Sequence, residues 1–256
     1  PIASKDGFIE DLFKGLSVKT KMVFISHLTS STGLRLPVEE ICARAKELGL
    51  ITFVDGAHAP GQVNVDLSSL QADIYTGACH KWMMTPKGSS FVYVKKELQH
   101  FIEPLIVSWG YKALFPSSST FQDHHQLIGT RDYTAYLTIP ASIDFMASNN
   151  WPMVTAACRK LTKENAAAIC EALGATPIAP VNDDFTAQMY SAEIKTREPE
   201  KLHDLFLEKY HIQIPVMRHG PKTYLRYSIH AFNRQEDLDA LFDAIKDIKN
   251  SGSLIG

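Results

Sequence analysis

Ile51-Thr52-Phe53-Val54-Asp55-Gly56-Ala57-His58-Ala59-Pro60-Gly61 is the stretch that decides the architecture. A short apolar run stops at a carboxylate and then enters turn residues. Such a run, without polar alternation, reads as a strand buried on both faces, as in a parallel sheet covered by helices. The carboxylate at its end stands where open α/β sheets place their ligand groups. Three further runs share this character: Met22-Val23-Phe24-Ile25, Asp73-Ile74-Tyr75-Thr76 and Ser90-Phe91-Val92-Tyr93-Val94. Between the first two of the four in chain order, Pro37 opens a helix with Val38, Ile41, Cys42 and Ala45 on one stripe, and Gly49 follows as its C′ residue. Gly33, Gly61 and Gly88 read as turn residues. The pattern predicts an α/β fold, a mostly parallel sheet with helices on both faces.

The second half is organised differently. Residues 105–130 read as irregular, and a long helical stretch runs from about 132 to 172 with a break near Asn149-Asn150. Short strands at 188–194, 211–215 and 223–229 then alternate with helices at 199–210 and 234–249. The last helix reads as capped by Asn233 with Glu236 reaching back, and Leu238, Leu241, Phe242 and Ile245 form its apolar face. The expected division is a large domain over 1–135, then linking helices and a small C-terminal α+β domain over 136–256.

Composition narrows the class. In 256 residues, 45% are hydrophobic and 21% charged, values typical of a globular protein. A net charge of −2 predicts no strong pull toward nucleic acid or an anionic membrane. No apolar run is long enough to suggest a membrane span, and no charged-then-apolar leader opens the chain. Cys42, Cys79, Cys158 and Cys170 form no CxxC pair and no zinc-finger spacing. Reduced thiols, a cytoplasmic location and no metal site are the expectation. His124-His125 sits in a polar loop without further ligands and reads as solvated.

Two residues carry the chemistry. Asp55 is poised to meet a cation, although on local pattern alone it could equally cap the next turn. Lys81 lies in His80-Lys81-Trp82, just past the strand containing Ile74, with little charge nearby in Gly77, Ala78 and Cys79. Desolvation there lowers an amine's pKa and makes it nucleophilic toward an aldehyde, whereas an isolated lysine more often snorkels outward. Trp82 reads as packing. An amine and an acid at the ends of successive strands reach one crevice, which suits pyridoxal phosphate.

The segments Ser26-His27-Leu28-Thr29-Ser30-Ser31-Thr32-Gly33, Val54-Asp55-Gly56-Ala57-His58, His80-Lys81-Trp82 and Pro86-Lys87-Gly88 together resemble class V of the fold-type-I pyridoxal-phosphate enzymes. Ser108-Trp109-Gly110-Tyr111, Gly129-Thr130-Arg131-Asp132 and Leu225-Arg226-Tyr227-Ser228 with Asn233 point to its isopenicillin-N-epimerase-like branch. The resemblance implies the cofactor pyridoxal 5′-phosphate and a Schiff base at Lys81. It implies Asp55 as partner of the pyridine nitrogen, His58 at the ring hydroxyl, and His80 and Ser30 among the cofactor-binding residues. Thr130 would reach the phosphate of the neighbouring subunit's cofactor, hence a homodimer. Arg226 would clamp the substrate carboxylate. An extended segment also places Arg226 opposite Leu225, Tyr227 and Ile229, with Tyr224 and Ser228, and a guanidinium fork matches a carboxylate. A surface arginine on an edge strand is the competing reading.

The sequence departs from that pattern at two places. Ala78 stands three positions before the lysine, where the family usually has a hydrogen-bonding residue aimed at the phosphate. The family's first strand, phosphate-binding turn and ring-stacking residue have no counterpart, so Pro1 falls inside the large domain, as in a fragment or a natural truncation. The expected function is a pyridoxal-phosphate enzyme acting on an amino acid by aminotransferase, epimerase or β-lyase chemistry. No cysteine follows Cys170, which argues against the desulfurases that use a loop cysteine before the arginine motif. The alternative is a catalytically inactive, truncated relative serving as a dimerisation or binding module. A nicotinamide-binding domain is a distant third, since no GxGxxG follows a strand.

Overall fold

The structure, a computed structural model, describes residues 1–252, 254 and 255. Two sheets organise it, each with its own core. The first contains strands β1 (Met22–Ser26), β2 (Ile51–Gly56), β3 (Ile74–Ala78) and β4 (Ser90–Val94) in that spatial order. The first three are parallel and β4 runs antiparallel to β3. Helix α1 (Lys5–Lys14), which the sequence reading left unassigned, is capped by Ser4, whose side chain accepts from the Gly7 N–H. Helix α2 (Val38–Glu47) packs the expected stripe of Val38, Ile41, Cys42 and Ala45 into the core, together with Val23, Ile25, Val54 and Tyr75. Gly49 follows it at φ +67°. The short helix α3 (Leu67–Leu70) precedes β3.

The expectation of strands buried on both faces is corrected here. Burial in β1 alternates: Val23 and Ile25 are covered by α2, while Met22 and Phe24 are exposed. Register puts Phe24 beside Phe53, and Asp55 beside Thr76 and so Val92, on the face turned away from α2. That face is covered only toward β4. There α4 (Thr120–Gln126) and α5 (Thr134–Leu137) stand across a cleft of about 930 Å³ lined by Thr76, Val92, Phe121, His125, Arg131 and Tyr136. The irregular segment before α5 exposes large apolar side chains: Leu105 (98%), Trp109, Leu114 and Phe115 (93%).

The predicted helical stretch breaks more often than expected, into α5, α6 (Ile139–Ser148), α7 (Trp151–Glu164) and α8 (Ala166–Leu173). The second sheet has order β5 (Met189–Glu193), β7 (Lys222–Ser228), β6 (Val216–His219), all antiparallel. Helices α9 (Pro199–Tyr210) and α10 (Gln235–Ser251) cover it, with Leu202, Phe206, Leu225, Tyr227, Leu238, Leu241 and Ile245 buried in one cluster. Three expectations are corrected. No strand occupies 211–215; His211 at φ +57° ends α9, and the strand starts at Val216. The cap of α10 falls one residue later than expected, because Asp237 accepts from the Arg234 N–H at 3.0 Å while Asn233 Oδ1 is taken by the His230 N–H. β7 is the central strand, which disposes of the edge-strand reading of Arg226.

No helix among the described residues is long and apolar enough to cross a membrane. The four cysteines are free and buried.

Candidate active site

The site lies where the ends of β1, β2 and β3 meet the second sheet. After β1, the turn through Ser30-Ser31-Thr32-Gly33 is closed by Thr29, whose hydroxyl accepts from the Leu34 N–H at 2.9 Å. Gly33 adopts φ +64° and lies so close to β5 that a Cβ would stand 3.2 Å from Ser191 Oγ. The turn therefore docks on the second sheet. Ser191 Oγ donates to the Ser31 carbonyl at 3.0 Å, and Arg226 Nη1 donates to the Ser30 carbonyl at 2.6 Å and to Ser30 Oγ at 3.3 Å.

Arg226 is only partly committed by these bonds. Its Nε is buried without a partner, and Nη2 has none among the described residues. Nε–H and Nη2–H form one straight edge of the guanidinium, the edge that takes a carboxylate through two parallel bonds. Burial lowers the guanidinium's pKa, yet a group starting near 12.5 remains a cation at neutral pH.

Asp55 ends β2 on the open face. Its Oδ1 accepts from the Ala57 N–H at 3.0 Å and faces Thr76 Oγ1 at 3.5 Å. Oδ2 has no hydrogen bond among the described residues. The carboxylate thus makes the turn that the competing reading gave it, and one oxygen is left over for a cationic donor.

Lys81 sits three residues past β3 in a turn pinned to the start of β4. The Cys79 N–H donates to the Ser89 carbonyl at 3.1 Å, and His80 Nδ1–H donates to the same oxygen at 2.9 Å. His80 therefore anchors the backbone beside the lysine. Lys81 Nζ lies 3.1 Å from His58 Nε2. Desolvation lowers the ammonium's pKa; Asp55 opposes this and Arg226 adds to it. His58 is pushed down to about 3, by burial first and then by the charges of Lys81 and Arg226. The imidazole is neutral at any ordinary pH.

The structure brings together Ser30, Asp55, His58, Lys81 and Arg226, with His80 alongside. Thr130 is not among them. It is exposed in the loop after α4 and forms no hydrogen bond among the described residues. Three residues escaped the sequence reading. Trp82 does pack, as expected, but its Nε1–H also donates to His58 Nδ1 at 3.3 Å. Gln62, fully buried, donates to the His58 carbonyl at 2.8 Å and accepts from the Gln188 N–H at 2.8 Å. His230 stacks on Trp82 at 5.7 Å. For Trp82, adjacency to the lysine was the available signal; the other two contacts span distances that local pattern does not carry.

These residues fit pyridoxal phosphate. They offer an amine for its aldehyde, a carboxylate with a free oxygen for its ring nitrogen, a histidine beside the amine for its ring hydroxyl, and an unpaired guanidinium edge for an amino-acid carboxylate. Ala78, buried in β3, offers the phosphate no side-chain donor. Among the described residues no group of acidic, histidine or cysteine side chains could hold a metal.

The chain belongs to the class V aminotransferase family, whose family model matches residues 3–241. Its relatives include the isopenicillin N epimerase of Streptomyces clavuligerus, 32% identical over 89% of this chain and 60% of that protein. The isopenicillin N epimerase of Amycolatopsis lactamdurans is 29% identical over 97% of this chain and 65% of that protein. Among solved structures, a cysteine desulfurase from Thermococcus onnurineus NA1 shares the fold, with TM-score 0.78 and 20% identity over 97% of this chain and 63% of that one. The chain thus spans less than two thirds of the length of each of these relatives.

Proposed function

We propose that this chain carries the lysine, acid and carboxylate-binding elements of a pyridoxal-phosphate enzyme acting at the α-carbon of an amino acid. The observation that carries the reading is the convergence of Lys81, Asp55 and Arg226 on one crevice from two separate sheets. When bound, the cofactor supplies an electron sink that stabilises a carbanion at the substrate's α-carbon.

The protein's own groups divide the remaining work. Lys81 Nζ holds the cofactor covalently at rest. Once the substrate amine has taken its place, it is a free amine of lowered pKa, suited to take the α-proton. The free oxygen of Asp55 keeps the ring nitrogen protonated. His58 donates toward the ring hydroxyl, and His80 holds the turn carrying the lysine. Ser30 holds Arg226, whose free edge fixes the carboxylate and so chooses which α-bond is aligned for cleavage. Returning the proton to the opposite face, to the cofactor, or expelling a β-substituent gives epimerase, aminotransferase or lyase chemistry. The named epimerase relatives make the first of these the one to assay first.

A homodimer completes the proposal. Leu105, Trp109, Leu114 and Phe115 expose more contiguous apolar surface than a monomer ordinarily tolerates, and Thr130 lies in the same segment. A second copy covering that segment would bring Thr130 to its partner's phosphate site.

Borohydride reduction of the cofactor-loaded protein, followed by peptide mapping, tests the central assignment. The adduct is expected on Lys81 and absent from Lys81→Ala. An adduct on Lys87 or Lys95 instead would sink it; Lys95 is already paired with Asp73 at 2.7 Å.

A further inference from the structure

The imidazole of His58 is held from both sides. Trp82 Nε1 is an obligatory donor, and it meets Nδ1 at 3.3 Å. A neutral imidazole carries a single N–H, so the nitrogen that accepts from the indole is the one without a proton. The other nitrogen, Nε2, lies 3.1 Å from Lys81 Nζ.

We propose that Trp82 is a positioning residue that fixes the tautomer of His58, placing the ring proton on Nε2, where it points at Lys81 Nζ and is accepted only by an unprotonated amine. An ammonium at Lys81 would set N–H against N–H across 3.1 Å. In the opposite tautomer Nε2 would be an acceptor and would favour the ammonium. The indole, which never touches the lysine, thus selects the lysine's neutral form through an imidazole. The charged groups acting on Lys81 are Asp55, which favours the ammonium, and Arg226, which opposes it.

Trp82 is itself clamped. His230 stacks on it at 5.7 Å with the planes 21° apart, and Phe232 stacks on His230 at 5.2 Å. His230 Nδ1 accepts from the Ala231 N–H at 2.9 Å, so its own proton sits on Nε2, facing the Trp82 carbonyl at 3.5 Å. On the other side Gly61, at φ +86°, comes so close that a Cβ would stand 2.5 Å from the Trp82 carbonyl oxygen. The Gly61 carbonyl accepts from Trp151 Nε1 at 2.7 Å. The donor is therefore fixed from both domains, and rotating it away would break a ring stack.

The functional weight of this inference rests on Lys81 being the cofactor-bearing lysine, but its observation does not. Long-range ¹H–¹⁵N spectra of the ¹⁵N-labelled protein without cofactor report histidine tautomers directly, and His58→Gln assigns the signals. Wild type is expected to show His58 with an unprotonated Nδ1 and a protonated Nε2. A wild-type His58 with its proton on Nδ1 overturns the proposal before any variant is made. Trp82→Phe keeps an aromatic ring on His230 and removes the donor. His58 should then gain the Nδ1–H tautomer. The midpoint for reductive methylation of Lys81, followed by peptide mapping, should rise by about one pH unit, the equivalent of one hydrogen bond. A variant that keeps the wild-type tautomer, or whose Lys81 midpoint does not move, refutes the role. A borohydride adduct on another lysine would refute the assignment of Lys81 while leaving the tautomer measurement standing, so the two failures are told apart.

Discussion

Arg226→Lys is the substitution with the sharpest consequence. The guanidinium spends Nη1 on Ser30 at 2.6 Å and keeps Nε and Nη2 for a ligand. Lysine retains the charge but has no planar edge, so of two parallel charge-assisted bonds to a carboxylate it keeps one. A hydrogen bond to a charged group contributes about 1.5–3 kcal/mol, which corresponds to roughly 10- to 150-fold weaker binding. The assay is a titration of cofactor-loaded wild type and variant with amino acids, read from the cofactor's absorption. An alkylamine of similar size without a carboxylate serves as the control. The variant should lose affinity for the amino acids and keep it for the amine, while the resting spectrum stays unchanged. Turnover should fall as well, because orientation of the α-carbon suffers with the fork. If the amino-acid curves overlay with equal turnover, Arg226 is structural and the carboxylate is held elsewhere. A parallel loss with the alkylamine would show a disturbed cleft instead of a lost clamp.

Three other outcomes follow from the same geometry. Asp55→Asn should keep covalently attached cofactor, which borohydride trapping reads, yet lose turnover by at least ~100-fold, as expected when a buried charge opposite developing charge is removed; near-normal turnover would contradict the proposed role. Gly61→Ala forces a side chain into φ +86° and against the Trp82 carbonyl; strain of about 1–2 kcal/mol should lower the thermal midpoint by at least ~4 °C, and an unchanged melt would refute that close approach. Burial holds the His27 imidazole at a pKa of about 4, so between about pH 6.5 and 4 the unfolded chain takes up a proton that the folded chain refuses. Stability from this residue is complete above that window and lost as pH falls through it; denaturant midpoints should show a shallower acid slope for His27→Gln, and parallel slopes would remove His27 from the account.

Much of this was legible because it is local. Val38, Ile41, Cys42 and Ala45 repeat at the helical period, and all four are fully buried. Asp55 and Lys81 announce themselves by following apolar runs, and Arg226 by alternation within β7. The errors also have local causes. Asn233 looked like a cap, but its side chain is drawn back to the His230 N–H, which leaves Arg234 to begin the helix. The segment 211–215 has strand-like residues, yet His211 in a left-handed conformation closes α9 first. The exposure of Met22 and Phe24 was invisible, since an apolar run reads the same whether one face or two are covered. The hydrogen bonds that tie Trp82 and Gln62 to His58 depend on side-chain directions at turns, which no periodicity encodes.

The link between Ser30 and Arg226 joins residues 196 positions apart, and the contact between His230 and the Trp82 carbonyl spans 148. Closing loops of that length costs chain entropy before any contact rewards it, so such contacts form late in folding. During synthesis the order is stricter still. The first sheet leaves the ribosome with Lys81 and His58 already placed, while the guanidinium and the stacking imidazole have yet to be polymerised. The site matures in sequence, the amine first and the carboxylate arm afterwards. A chain released early would present an aldehyde-reactive lysine with nothing to select its substrate.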